Sequence, residues 1–198
     1  MNESSFLRHL YQLAVTKIAH WISPAGLSPI QCSLIAFALA VISTWLFSSQ
    51  YYAGLFFGGL LAYFSMCFHL VGEEIRRLKN LPAEPFKKID KAFVFYSELL
   101  LIAGLCAHTV IDNSRVLCLI IGILAAAGIL LLDRIKERPT GDFWKNFKFI
   151  ESPSLRVFII AVGAILNIPL LILLLIAFCT NGLLIVGMIN QYEENKNK

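Results

Sequence analysis

The sequence predicts an all-α integral membrane protein, with six transmembrane helices preceded by an N-terminal amphipathic juxtamembrane helix. Three observations lead there. Of the 198 residues, 58% are apolar and 15% charged, against about 45–50% and about 25% in a soluble domain. The apolar residues gather into six runs, each near the length of about 20 residues that a helix needs to cross the hydrocarbon core. The basic residues are confined to alternate connections between those runs. This composition excludes a disordered chain, a collagen and an ordinary soluble enzyme domain. The formal net charge is +4, but the basic residues flank apolar spans, so no nucleic-acid partner is expected.

Residues 4–23 read as the amphipathic helix, capped by Ser4 or Ser5 and stopped by Pro24. Arg8, Gln12, Thr16 and His20 make one polar stripe, and residues such as Leu10, Ala14, Ile18 and Trp21 fill the rest. Such a helix lies in the headgroup plane. After a turn over 23–29, spans are expected at about 30–47, 52–71, 92–111, 115–133, 155–169 and 170–190. Charged connections cover 72–91 and 134–154, and 191–198 is a polar tail. The chain is therefore read as one membrane domain over 1–198, with its bundle over 30–190. Asn167, Ile168 and Pro169 separate the last two spans.

Every Lys and Arg except Arg115 falls on one side of this arrangement. Basic side chains resist translocation, so that side is expected to be cytoplasmic, with both termini inside and an even number of spans. Short loops and the lack of a cleavable leader favour a prokaryotic inner (plasma) membrane. The five cysteines, Cys32, Cys67, Cys106, Cys118 and Cys179, are scattered through apolar runs without a C-x-x-C. They read as small buried hydrophobes.

The chemistry-bearing residues collect at the inner ends of spans two and three. His69, Glu73, Arg76, Arg77 and Asn80 are neighbours at helical spacing. Asp90 opens span three, and Glu98 follows two turns deeper on the same face. A carboxylate at that depth needs a cationic partner from a neighbouring span or a wet cavity. Glu73, Glu74, Arg76 and Arg77 also fit a solvated helix end, and His69 an interfacial hydrogen bond. Lys136, Arg138, Lys145 and Lys148 suit contact with anionic lipid.

Over about residues 5–170 this layout resembles the CDP-alcohol phosphatidyltransferase family. Gly26-Leu27-Ser28-Pro29 followed by Ser33 is similar to that family's G-L-T-P-N-x-x-T at the start of span one. Gly72 and Arg76 stand at the Gly and Arg of its D-x-x-D-G-x-x-A-R signature. Asp90 matches the third Asp of the following G-x-x-x-D-x-x-x-D if the spacer gains one residue. Glu151-Ser152-Pro153-Ser154-Leu155-Arg156, leading to Gly163, resembles the E-R-P-E-R-like start of span five. The resemblance implies transfer of a substituted phosphate from a CDP-linked donor to an alcohol, with release of CMP. It also implies four Asp holding divalent metal, the last acting as base, and pairing of chains as dimers.

The departures fall on the reaction centre. Phe68 and Val71 take the first two Asp positions and Val94 the fourth; Ile75 takes the Ala, Phe86 the second Gly and Ile30 the Asn. Phe and Val offer no oxygen to a hard cation. The expectation is therefore a phosphatidyltransferase-like membrane protein of phospholipid metabolism that is catalytically inactive and serves as a regulatory or partner subunit. Its partners would be membrane phospholipids and either a second copy or an active paralogue. Gly72, Arg76, Arg156 and Ser33 are the expected substrate or lipid-phosphate contacts. No cofactor is expected of an inactive chain. The alternative is an active, divergent transferase with Mg or Mn on a shifted site, using His69, Glu73 and Asp90 as metal ligands and Asp90 or Glu98 in catalysis. A small carrier or channel is a third reading.

Overall fold

The computed structural model describes residues 16, 17, 19, 20, 26–49, 51–112, 115–136 and 152–196. Six helices account for most of them: α1 Pro29–Phe47, α2 Tyr52–Leu78, α3 Ala83–Asp112, α4 Arg115–Lys136, α5 Pro153–Ile165 and α6 Pro169–Lys196. Four contain segments long and apolar enough to cross a membrane: Pro29–Phe47, Tyr52–Leu78, Phe86–Val110 and Pro169–Ile189. Val116–Leu132 and Pro153–Ile165 are shorter apolar segments. At 13 residues, α5 is about 20 Å long by its helical rise, less than the hydrocarbon thickness of about 30 Å.

Local chemistry sets the ends of these helices. Ser28 caps α1, its hydroxyl accepting from the Gln31 amide while the Gln31 side chain accepts from the Ser28 amide. Pro29 follows at the first helical position, where no backbone donor is needed. At the other end of α2, the Asn80 amide donates to the Arg77 carbonyl and the Leu81 amide to the Arg76 carbonyl. Asn80 is left-handed, with φ 49°, so this is a Schellman closure with Asn in place of Gly. The end of α5 repeats it: Asn167 has φ 58°, and the Ile168 amide donates to the Gly163 carbonyl. That turn lies where the sequence separated its last two spans.

The charged connection expected over 72–91 is mostly helix. Chain continues helically from the apolar part of α2 to Leu78 and resumes at Ala83. The reason lies in Val71 and Ile75, which continue the buried face of α2 into its charged end. Arg76 and Arg77 then sit in the last turn, where they complement the helix dipole. Of the expected amphipathic helix over 4–23, residues 16, 17, 19 and 20 are helical and the remainder lies outside the described residues. So does 137–151, which holds Arg138, Lys145, Lys148 and Glu151. All five cysteines are free thiols; Cys32 and Cys118 are buried and the other three are partly buried.

Helix α3 is the hub of the bundle, touching α1, α2, α4, α5 and α6. Small residues let the backbones approach, as expected where apolar solvent gives no hydrophobic drive between helices. The Ser43 hydroxyl donates to the Gly58 carbonyl at 2.7 Å and the Ser65 hydroxyl to the Ala36 carbonyl at 2.7 Å, which zips α1 to α2. A Cβ at Gly104 would lie 2.8 Å from the Thr44 carbonyl oxygen, so α3 crosses α1 almost in contact. The core is built from Phe47, Leu55, Leu101, Leu105, Ile160 and Leu173 and their neighbours. Consecutive helices α2 and α3 touch each other far less than either touches α1. A cavity lies at their charged ends, completed by α5.

Gly104→Leu should cost about 1–3 kcal/mol by overpacking and lower the Tm of the detergent-solubilised chain. Gly182→Leu, where a Cβ would meet nothing within 4 Å, should leave the Tm unchanged.

Candidate functional site

The cavity between the charged ends of α2, α3 and α5 has a volume of about 250 Å³. From α2 it takes His69, Leu70 and Glu73; from α5, Pro153, Ser154 and Arg156. The α3 wall carries Phe86, Lys87, Asp90, Lys91, Val94, Phe95 and Glu98. These fall at the three- and four-residue steps that place side chains on one helix face.

Two polar clusters organise it. Deepest is Glu98, 1% exposed, facing Arg156, 5% exposed. The guanidinium grips the carboxylate with two hydrogen bonds: Nε to Oε1, and Nη2 to Oε2 at 2.9 Å. A planar fork on a planar carboxylate is the geometry in which a buried ion pair best offsets its lost hydration. Both Glu98 readings therefore meet in one residue, since it is paired across spans and it lines the cavity. Nearer the opening, Asp90 Oδ1 accepts from the Ser33 hydroxyl at 2.5 Å and faces His69 Nδ1 at 3.0 Å. Ser33 also lies 3.3 Å from the Pro29 carbonyl. Three helices thus meet at Asp90. The carboxylate fixes the ring hydrogen on Nδ1. The other ring nitrogen, Nε2, is buried with no hydrogen-bond partner among the described residues.

The remaining expected residues sit elsewhere. Gly72 is not on the cavity wall, and a Cβ there would lie 3.1 Å from both the Cys32 Cβ and the Pro29 carbonyl oxygen. Its role is close approach of α2 to the start of α1. Arg76 donates to the Leu81 carbonyl at 3.3 Å and is absent from the cavity wall. Glu74 accepts from Thr16 at 3.3 Å and pairs with the exposed Arg77 at 3.4 Å. Sequence spacing did not reveal the Ser33–Asp90 bond or Ser154 and the two lysines on the wall. It did carry one signal for the Glu98–Arg156 pair, because a carboxylate that deep calls for a cation or a wet cavity.

The chain matches no known protein-family profile and no curated protein. Its fold does match a solved one. The crystal structure of Mycobacterium tuberculosis phosphatidylinositol phosphate synthase (PgsA1) with CDP-DAG bound aligns with a TM-score of 0.69 and 17% identity, over 90% of this chain and 92% of that one. The fold is that of a CDP-alcohol phosphatidyltransferase.

On this phosphatidyltransferase fold, the substituted signature positions can be placed. Val71 and Ile75 are buried against Cys32 and Ala19, outside the cavity. Val94 and the buried Phe86 form part of the cavity wall. Two of the three carboxylates on this wall are already bound to other side chains. Hard cations need several oxygen ligands. Here both Glu98 oxygens are engaged by Arg156, and Asp90 Oδ1 is engaged by Ser33 and His69. Among the described residues, no three His, Cys, Asp or Glu side chains converge as a metal site.

Removing one partner of the buried pair should be severe. Arg156→Leu alone should cost about 3–5 kcal/mol, because it strands a buried carboxylate. The double variant Glu98→Leu/Arg156→Leu should recover most of that loss. Denaturation of the single and double variants in detergent forms the thermodynamic cycle that checks it.

Proposed function

We propose that this chain is a phosphatidyltransferase-like membrane protein of phospholipid metabolism that does not carry out metal-assisted transfer and works as a regulatory or partner subunit. One observation carries the reading: two of the three carboxylates on the cavity wall, Asp90 and Glu98, are already engaged by protein hydrogen-bond partners. A two-metal phosphoryl-transfer site needs carboxylates turned toward the ions, and apolar Val94 and Phe86 add none. The fold itself is retained along nearly the whole chain, which favours a role that uses the bundle rather than its chemistry. The partner in this reading is a second copy or an active paralogue. The membrane is a prokaryotic inner membrane, with the lysine- and arginine-rich end of the bundle in the cytoplasm.

The test is a CMP-release assay on the full chain in lipid nanodiscs, supplied with Mg²⁺ or Mn²⁺, CDP-diacylglycerol and a panel of alcohols. Release should stay at the protein-free background. Turnover that disappears in Asp90→Ala or Glu98→Ala would instead establish the divergent enzyme with a shifted acidic site. In the native membrane, the chain should co-purify with an active transferase whose yield falls when this chain is deleted.

A further inference from the structure

A second surface lies outside the cavity, where α2 turns into α3. Tyr51 and Tyr52, both exposed, stand at the start of α2, and tyrosines favour the membrane interface. From there α2 runs 27 residues, about 40 Å by its helical rise, farther than a hydrocarbon core of about 30 Å. Its last turn therefore emerges among the lipid headgroups. The apolar membrane segment of α3 opens at Phe86. The elbow over 77–91 thus lies at headgroup depth, on the basic end of the bundle.

The side chains of this elbow are of two kinds. Arg77, Lys79, Lys87, Lys88 and Lys91 are all exposed. Glu84 and Asp90 are the acidic residues of the same stretch, which leaves it a net charge of +3. Asp90 Oδ1 is already engaged by Ser33 and His69. Lys88 has no ion-pair partner among the described residues. Among the cations stand three exposed apolar side chains, Leu78, Leu81 and Ile89, at 38%, 41% and 39%. At that depth the upper acyl chains cover apolar groups, while ammonium and guanidinium heads reach the phosphates. An acidic protein segment would answer the charge but leave the apolar side chains uncovered. A zwitterionic lipid would cover them without answering the charge. An anionic phospholipid does both.

We propose that the α2–α3 elbow is a docking surface for anionic phospholipid, with Arg77, Lys79 and Lys88 as its cations and Leu81 and Ile89 as its apolar contacts. None of these five residues lines the cavity. Lys79 donates to the Leu27 carbonyl at 3.2 Å, which places its ammonium and leaves it two further hydrogens for a phosphate. Arg77, beside Glu74 at 3.4 Å, keeps 62% of its side chain exposed.

The experiment is native mass spectrometry of the detergent-solubilised full chain, titrated with dioctanoyl phosphatidylglycerol or with dioctanoyl phosphatidylcholine. At low salt the phosphatidylglycerol should bind at least about fivefold more tightly, the scale of one basic residue at an anionic surface. High salt should shrink that preference, because exposed charges are screened. Arg77→Gln/Lys79→Gln/Lys88→Gln should bring the two lipids level. Equal binding by the unaltered chain overturns the proposal whether or not the triple variant folds. So does a preference that survives in the folded triple variant, since the anion then sits elsewhere, the cavity included. Binding of an oligoglutamate peptide with no preference between the lipids assigns the elbow to an acidic protein and overturns it too. These are binding measurements at residues outside the cavity, so their outcome is separate from whether CMP is released.

Discussion

A carboxylate buried in a membrane bundle sets the terms for everything around it. Glu98 is nearly inaccessible, and desolvating its charge without a counter-ion would cost several kcal/mol. Arg156 answers it from α5, a short helix that also packs along α2. The pair therefore does more than neutralise a charge. Both α1 and α5 pack against α2 and α3, and the ion pair fastens α5 to α3. That attachment holds Pro153, Ser154 and Arg156 of α5 on the cavity wall.

The same attachment removes Glu98 from the pool of metal ligands, and the Ser33–Asp90–His69 cluster does the same for Asp90 Oδ1. Asp90 and Glu98 hold helices together, Asp90 through Ser33 of α1 and His69 of α2, and Glu98 through Arg156 of α5. Phe86 and Val94 add apolar wall beside them. Helix packing depends on the small residues at crossings, such as Ser43, Ser65 and Gly104, and these are separate from the cavity wall.

Much of the fold was legible because the signals are strong and local. Long apolar runs, the Ser28–Pro29 start of α1, and the break at Asn167-Ile168-Pro169 each map onto an observed boundary. The charge of the stretch after residue 71 marks it as a connection, while the helical spacing of His69, Glu73 and Arg76 already carries α2 toward its observed end at Leu78. The site was legible only in outline. Spacing along α2 and α3 brought His69, Glu73, Asp90 and Glu98 to one end of the bundle. It gave no information on pairing between helices, because which side chains meet depends on splay and rotation. Arg156 illustrates this: its charge suits lipid phosphate, whereas in the structure its guanidinium is held by Glu98. Ser33, matched to a motif at the start of span one, acts on Asp90 across the bundle, a distance in sequence that no local pattern encodes.

Near the opposite face of α2, Ala19 is fully buried among Cys32, Val71 and Ile75, and Thr16 donates to Glu74. Val71 and Ile75 alternate along α2 with His69 and Glu73, so one short stretch of helix has Ala19 seated on one side and the imidazole on another. A substitution at Ala19 or Thr16 therefore acts on the same helical turn that carries the ring at residue 69.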